Sequence, residues 1–179
     1  MRMEKVKLSI RNSEENKLPS NIEAEQSLIG SVLVNNDIID EISNIVNAAK
    51  FFDPIHRKIY EVVENLNNKG MIANPITLKN YFENDSGLSE VGGVDYLVKL
   101  TRFSSSIKQA IDYAKIIHEM YVKRELIFIS EGIDGQAKDD QIEKTGENII
   151  VDAEKSLFDL AERGNFSQTF LKFNQALDQ

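Results

Sequence analysis

The stretch from Ser106 to Asp134, SIKQAIDYAKIIHEMYVKRELIFISEGID, decides the fold of this chain. It contains no proline, and its apolar residues recur at spacings of three, four and seven, which is the period of an α-helix. At about 1.5 Å per residue, one uninterrupted helix over this stretch measures about 40 Å. A compact bundle of short helices does not need so long an element, so the sequence predicts a helix that extends beyond such a bundle.

The most informative part of this helix is the turn LIFI, Leu126 to Ile129. Four consecutive residues at 100° steps cover most of the circumference of a helix, so this turn is apolar almost all round and one partner helix cannot cover it. In one interpretation the helix folds back onto a bundle formed by the rest of the chain. In the other, which we favour, it protrudes and pairs with a second copy of the chain or with another protein, as large apolar patches usually do.

A second long helix is predicted after the first. The polar stretch DGQAKDDQ interrupts the pattern, and IEKTGENIIVDAEKSLFDLAERG then resumes helical spacing up to Gly164. Two helices joined by a short polar loop form an antiparallel hairpin. We therefore expect a helical hairpin over residues 105–164, with its first helix ending near Asp134.

Residues 19–104 show helical spacing in shorter segments. Ser20 and Glu23 have the spacing of a capping box and predict that the first helix starts there. An Asp-Pro pair at positions 53 and 54 predicts the start of another helix. We expect about five or six short helices in this region. The predicted fold class is therefore all-α, with a compact bundle followed by a long protruding antiparallel hairpin.

Composition limits the possible classes of function. The 179 residues carry a formal net charge of −8, which opposes tight nucleic-acid binding because phosphate contacts require clustered lysine and arginine. The chain has no cysteine, which excludes disulfides and thiolate zinc sites and is typical of a reducing compartment. No apolar run approaches the roughly 20 residues that cross a bilayer, so we expect a cytoplasmic protein without a membrane partner. The charged residues 1–18 are predicted to be a disordered tail.

The sequence does not indicate a catalytic site. None of the nine glycines is followed by lysine, which excludes the Walker A motif of a nucleotide-hydrolysing motor. His118 and Glu119 begin a zinc-protease motif, but Val122 stands where the second histidine is needed. His56 is interpreted as a structural, partly buried histidine, and the basic residues around Arg124 as a solvated helix face. We therefore expect no enzymatic activity, no cofactor and no metal in this chain.

The chain contains, in order, the stretches LPSNIEAEQSLIGSVL, FFDPIHRKIYEVVENL, PITLKNYFE, LSEVGGVDYLVKL, AIDYAKIIHEMYVKRELI and AEKSLFDLAERG. This series resembles the N-terminal part of the bacterial replicative DNA helicase, the DnaB family. The resemblance extends from about Leu18 to Gly164. It rests on the whole series, since no single stretch in it is catalytic.

The resemblance implies a role in assembly. In this family the short-helix bundle forms the collar of a ring-shaped hexamer, and the hairpin pairs with that of a neighbouring subunit to make a trimer of dimers. The collar binds primase, and helicase loaders act on the same ring. The resemblance also implies that residues 165–179 form a linker towards a RecA-like ATPase motor that is absent from this chain. The parent would use ATP and magnesium, and would bind single-stranded DNA mainly through that motor.

The resemblance further implies which residues lie at interfaces. Ile127, Ile133 and Ile149 match positions where the family's hairpin couples to primase, and Tyr96 matches an aromatic residue of the bundle implicated in the same contact. With the other apolar hairpin residues, the candidate partner and oligomer interface is Tyr96, Leu126, Ile127, Phe128, Ile129, Ile133, Ile149 and Leu157. For each of these residues the alternative is ordinary core packing.

Two other functions stay open at this point. A stand-alone helical adaptor or inhibitor could use the same fold to bind primase or helicase; a Gly-Lys-Thr or Gly-Lys-Ser motif further along the reading frame would exclude it. A helical-bundle enzyme could hold a metal with carboxylates. The chain, however, has no Glu-x-x-His pair, which is the arrangement that such sites use.

Overall fold

The computed structural model describes residues 17–83, 85–139 and 144–163, and every regular element in these ranges is a helix. The predicted disordered tail, apart from Lys17 and Leu18, lies outside the described residues, as does the predicted linker at residues 165–179. No helix in the described part of the chain is both long and apolar enough to cross a membrane.

In the described ranges, six short helices form a bundle and two long helices follow. The short helices are α1 (Ile22–Val34), α2 (Ile38–Ile42), α3 (Pro54–Asn68), α4 (Pro75–Phe82), α5 (Ser86–Glu90) and α6 (Val94–Thr101), with a 3-10 turn at Ala48–Lys50. The long helices are α7 (Ile107–Lys138) and α8 (Gly146–Arg163), which pack against each other. The predicted all-α fold, a bundle followed by a helical hairpin, is therefore confirmed. The exact domain boundaries stay predictions.

Local capping groups set where two of the bundle helices begin. Pro54 stands at the first position of α3, and the Asp53 side chain accepts hydrogen bonds from the amides of Ile55 and His56 at 2.8 and 3.4 Å. This is the start that the Asp-Pro pair predicts. Asn74 forms a capping box at the start of α4, where a proline again occupies the first turn.

The predicted capping box at Ser20 is wrong. The N-cap of α1 is Asn21, whose side chain accepts a hydrogen bond from the Ala24 amide at 2.9 Å. Asparagine caps a helix as well as serine does. The chain just before the cap is also held from outside, because Arg124 donates a hydrogen bond to the Pro19 carbonyl. A contact from so far along the sequence has no local signal.

α1 lies at the centre of the bundle and packs against α6 and α7. One face of α1 is an apolar stripe, in which Leu28, Ile29 and Val32 are fully buried. The start of α7 contributes three residues to the same apolar core, namely Ala110, Ala114 and Ile117. The first part of α7 is therefore anchored in the bundle.

α7 is longer than the sequence predicts, since it continues past Asp134 to Lys138. Gly135 within a helix costs about 1 kcal/mol relative to alanine, which is why the polar stretch around it resembles a turn. Two contacts offset this cost. α8 packs along α7, and the Lys138 ammonium lies 2.7 Å from an Asp134 carboxylate oxygen.

Candidate functional site

The hairpin carries a set of exposed apolar side chains, which we call the hairpin surface. Beyond Arg124, seven large apolar residues are between 36% and 63% exposed, namely Leu126, Phe128, Ile133, Ile150, Val151, Leu157 and Phe158. On α8, Leu157 follows Ile150 by seven residues and Phe158 follows Val151 by seven. These four side chains therefore lie along one stripe of that helix. Apolar patches of this kind mark protein interaction sites.

The turn Leu126 to Ile129 sits within this surface. Leu126 and Phe128 are exposed, while Ile127 and Ile129 are half-buried. The prediction that one partner helix cannot cover this turn is therefore confirmed. The bundle does not cover it either, so the interpretation in which the helix folds back is wrong.

A groove of about 280 Å³ lies between α7 and α8. Four of the predicted interface residues line it, namely Phe128, Ile129, Ile133 and Ile149. With Leu126, Ile127 and Leu157, the structure places seven of the eight predicted residues on the hairpin. Their role as an interface stays a prediction.

Tyr96, the eighth predicted residue, lies in the bundle on α6 and not with the other seven. Its hydroxyl is 2.8 Å from Nε2 of His56 and accepts a hydrogen bond from the side-chain Nε2 of Gln26 at 3.3 Å. The rings of His56 and Tyr96 stack with their centroids 6.2 Å apart and 6° between their planes. Burial raises the pKa of Tyr96, the bond from Gln26 lowers it, and the charges of Asp53 and Glu25 raise it. Tyr96 therefore belongs to a polar network of the bundle.

The inner end of this network is a buried pair, Glu25 and His56, whose Oε2 and Nδ1 atoms lie 2.8 Å apart. Glu25 also accepts hydrogen bonds from the amides of Phe52 and Asp53, at 2.6 and 3.2 Å. His56 is structural, as predicted, but fully buried. Sequence reasoning missed Glu25, although one signal was present: it lies on the apolar stripe of α1, three residues after Ile22.

The interpretation of Arg124 as part of a solvated face is wrong. Its buried guanidinium donates from Nη1 to the Pro19 carbonyl and from Nη2 to the Lys50 carbonyl, each at 2.7 Å. The guanidinium carbon Cζ of Arg124 lies 5.3 Å from the centre of the Phe52 ring. Arginine can be buried in this way because its stem is apolar and its donors are satisfied. The available signal was its position seven residues after Ile117, on the buried face of α7.

A second cavity, of about 470 Å³, lies between α2 and α3, where apolar Ile39, Val46 and Tyr60 line it together with the carboxylates of Glu61 and Glu64. In the described ranges, this cavity included, no group of three or more histidine, aspartate or glutamate side chains is placed to hold a metal ion. Of the two acids that line this cavity, Glu64 is half-buried and Glu61 is exposed.

Replacing Glu64 with glutamine is expected to stabilise the fold at pH 7. The pKa of Glu64 is raised above its ordinary value. Burial raises this pKa, a hydrogen bond from the Ala48 amide lowers it and the charge of Glu61 raises it. Because this pKa is higher in the folded state than in the unfolded state, the ionised carboxylate costs stability above it. The cost vanishes once both states are protonated. Urea unfolding should give a gain below about 1 kcal/mol at pH 7 that shrinks as the pH is lowered towards about 4.

The matched control is Glu61→Gln, which leaves the more buried carboxylate in place and should give a smaller gain. Equal gains for the two variants, or a gain from Glu64→Gln that does not change with pH, would contradict this assignment.

A family model described as the DnaB-like helicase N terminal domain matches residues 17–119. "Replicative DNA helicase DnaB" of Rickettsia bellii (strain RML369-C) is 41% identical over 155 residues, which are 87% of this chain and 31% of that relative. "Replicative DNA helicase DnaC" of Bacillus subtilis (strain 168) is 30% identical over 151 residues, 83% of this chain and 32% of that relative. The chain thus spans about a third of the length of the curated relatives it matches.

Two solved structures share the fold. The N-terminal domain of DnaB helicase from Mycobacterium tuberculosis superposes with a TM-score of 0.69 at 23% identity, covering 80% of this chain and 99% of that chain. A structure titled "The Structure Of A DnaB-Like Replicative Helicase And Its Interactions With Primase" gives a TM-score of 0.61 at 22% identity, covering 86% of this chain and 35% of that chain. At these identities the likeness concerns the fold alone.

Proposed function

Because the chain belongs to the DnaB-like helicase N-terminal domain family, we propose that it forms the collar of a ring-shaped replicative helicase and docks primase there. The observation that carries this proposal is the hairpin surface, which the described residues of the chain leave exposed. The mechanism is positioning and not catalysis: the collar sets the geometry of the subunits and brings primase next to the site of unwinding.

Self-pairing of hairpins is the first part of the proposal. Burying the exposed part of an apolar side chain of this size contributes about 1 kcal/mol, and two hairpins together offer fourteen such side chains, seven from each copy. Burial of those side chains that face the partner would offset the lower part of the about 4 to 15 kcal/mol that association costs. A trimer of such dimers would then close the ring.

Docking of primase is the second part. Support comes from the structural neighbour described with its primase interactions and from the family positions that Ile127, Ile133 and Ile149 match. Ile133 and Ile149 line the groove between the hairpin helices, which would take an apolar helix of the partner. Tyr96 has its hydroxyl engaged within the bundle, so we propose that only the exposed part of its ring takes part.

Further activities of such a helicase are proposed for parts that this chain does not match. We place ATP- and magnesium-dependent unwinding there, together with most of the contact with single-stranded DNA. A helicase loader would act on the assembled ring, and the site of action would be the cytoplasm, where the bacterial chromosome is replicated.

Isothermal titration with the C-terminal helical domain of primase from the same organism tests the docking proposal. The unmodified chain should bind, and Ile133→Ala should weaken binding about fivefold or more, because about 1 kcal/mol of apolar contact is removed. Ile76→Ala is the matched control, since it removes an exposed isoleucine of α4 in the bundle. Absence of binding by the unmodified chain, or equal affinities of all three proteins, would contradict primase docking at the hairpin.

A further inference from the structure

A buried arginine stands at the point where the hairpin leaves the bundle. Arg124 lies two residues before the exposed Leu126, and its guanidinium bonds to two backbone carbonyls from separate parts of the chain, those of Pro19 and Lys50. Hydrogen bonds to backbone fix the path of the chain directly. Arg124 therefore holds the start of the bundle and the segment after the 3-10 turn against the same turn of α7.

The segment Lys50–Asp53, which we call the junction turn, is held from a second side as well. Glu25 of α1 accepts hydrogen bonds from the amides of Phe52 and Asp53 at 2.6 and 3.2 Å. Arg57 of α3 donates to the carbonyl of Phe51, its Nη2 lying 2.9 Å away. With Arg124 at one end and Glu25 at the other, the junction turn is fixed between α1, α3 and α7.

Charges of both signs act on Arg124 at this junction, and its pKa is lowered overall. Burial lowers the pKa of Arg124, and the nearby charge of Glu25 raises it. A guanidinium carries N–H donors on three nitrogen atoms in a rigid plane, so its two terminal nitrogens can reach two carbonyls at once, whereas an ammonium is a single point of charge. The geometry thus requires arginine at this position and not simply a positive charge.

Arg124 also lengthens the anchored part of α7. The buried apolar residues of this helix are Ala110, Ala114, Ile117 and Val122, which span about 18 Å along its axis at about 1.5 Å per residue. From Ala110 to Arg124 the span is about 20 Å. Arg124 adds hydrogen bonds to two remote backbone segments at the outer end of this span, so loss of these contacts should increase the angular freedom of the hairpin.

We propose that Arg124 is a positioning residue that fixes the direction in which the hairpin leaves the bundle, by holding Pro19 and the junction turn against α7. Its consequence for ring geometry rests on the proposed collar function, because the hairpin direction sets where the hairpin surface is presented. The positioning itself does not depend on self-pairing.

The test is a distance measurement within one chain. The protein has no cysteine, so cysteines introduced at the exposed positions Lys79 of α4 and Glu131 of α7 are the only sites for spin labels. Double electron–electron resonance on labelled chain mixed with an excess of unlabelled chain reports the distance between bundle and hairpin, whether the protein is monomeric or assembled. With Arg124 in place, we expect one narrow distance distribution.

Arg124→Gln should broaden this distribution while helicity is retained. Arg124→Lys keeps the charge and most of the apolar stem, so it serves if Arg124→Gln fails to fold, and it too should broaden the distribution because it cannot reach both carbonyls. Lys123→Gln, at an exposed neighbouring position, should leave the distribution unchanged. A distribution that stays narrow in the folded Arg124 variants, even with a lower melting temperature, would overturn the positioning role and leave an ordinary stabilising contact.

Discussion

Replacing Gly30 with alanine is expected to lower the free energy of unfolding by more than about 3 kcal/mol. A Cβ atom at this position would lie 2.0 Å from the carbonyl oxygen of Leu100 and 3.0 Å from its carbonyl carbon. Both are backbone atoms at the end of α6, so no side chain can rotate away. The clash would push α6 from α1 at the centre of the core, and the gain of about 1 kcal/mol in helix propensity cannot offset it.

The same shift would break polar contacts beside Gly30. The hydroxyl of Ser31 accepts a hydrogen bond from the Ser105 amide at 2.9 Å and lies 3.0 Å from the Ser105 hydroxyl. These contacts tie the connection between α6 and α7 to α1. Displacement of α6 would leave them stretched in a part-buried environment, which adds to the cost.

Urea unfolding followed by circular dichroism measures this effect. Gly135→Ala is the matched control, because nothing lies within 4 Å of a Cβ atom there. Alanine in that helical position should stabilise the protein by up to about 1 kcal/mol. Equal stability of Gly30→Ala and the unmodified chain would show that α1 and α6 do not approach as closely as described.

The second large effect is expected from the pair of substitutions Leu126→Asp and Phe128→Asp. Both side chains are exposed within one chain, so the fold and its helicity should be retained. If these residues lie at a paired interface, each copy would bury two unpartnered carboxylates there, and each costs several kcal/mol. Self-association should therefore weaken by at least about a thousandfold, which corresponds to about 4 kcal/mol.

Features encoded by neighbouring residues were predictable from the sequence. The start of α3 follows from Asp53 and Pro54, and the exposed turn at Leu126 follows from four apolar residues in a row. The start of α1 was displaced by one residue and the end of α7 by four, and at both ends contacts from remote segments act together with local ones. Local patterns do not report the remote contacts.

The two charged residues that were missed share one cause. Glu25 and Arg124 both occupy buried faces of their helices, yet their chemical type favours a solvated position. Each is buried because remote segments supply its partners: backbone carbonyls for Arg124, and backbone amides together with the His56 side chain for Glu25. A charged residue that continues an apolar stripe was therefore the available signal, and its partners could be identified only in the folded chain.

The most direct test of the central claim, that the hairpin surface pairs copies of this chain, is solution mass by light scattering across a dilution series. The unmodified chain should show a dimer or larger assembly that dissociates on dilution towards the 20.3 kDa monomer. The variant with Leu126→Asp and Phe128→Asp should be monomeric throughout with unchanged helicity, whereas Ile76→Asp with Tyr81→Asp, a matched exposed pair on α4, should assemble normally. A monomer at every concentration for the unmodified chain, or an undiminished assembly of the hairpin variant, would contradict pairing through the hairpin.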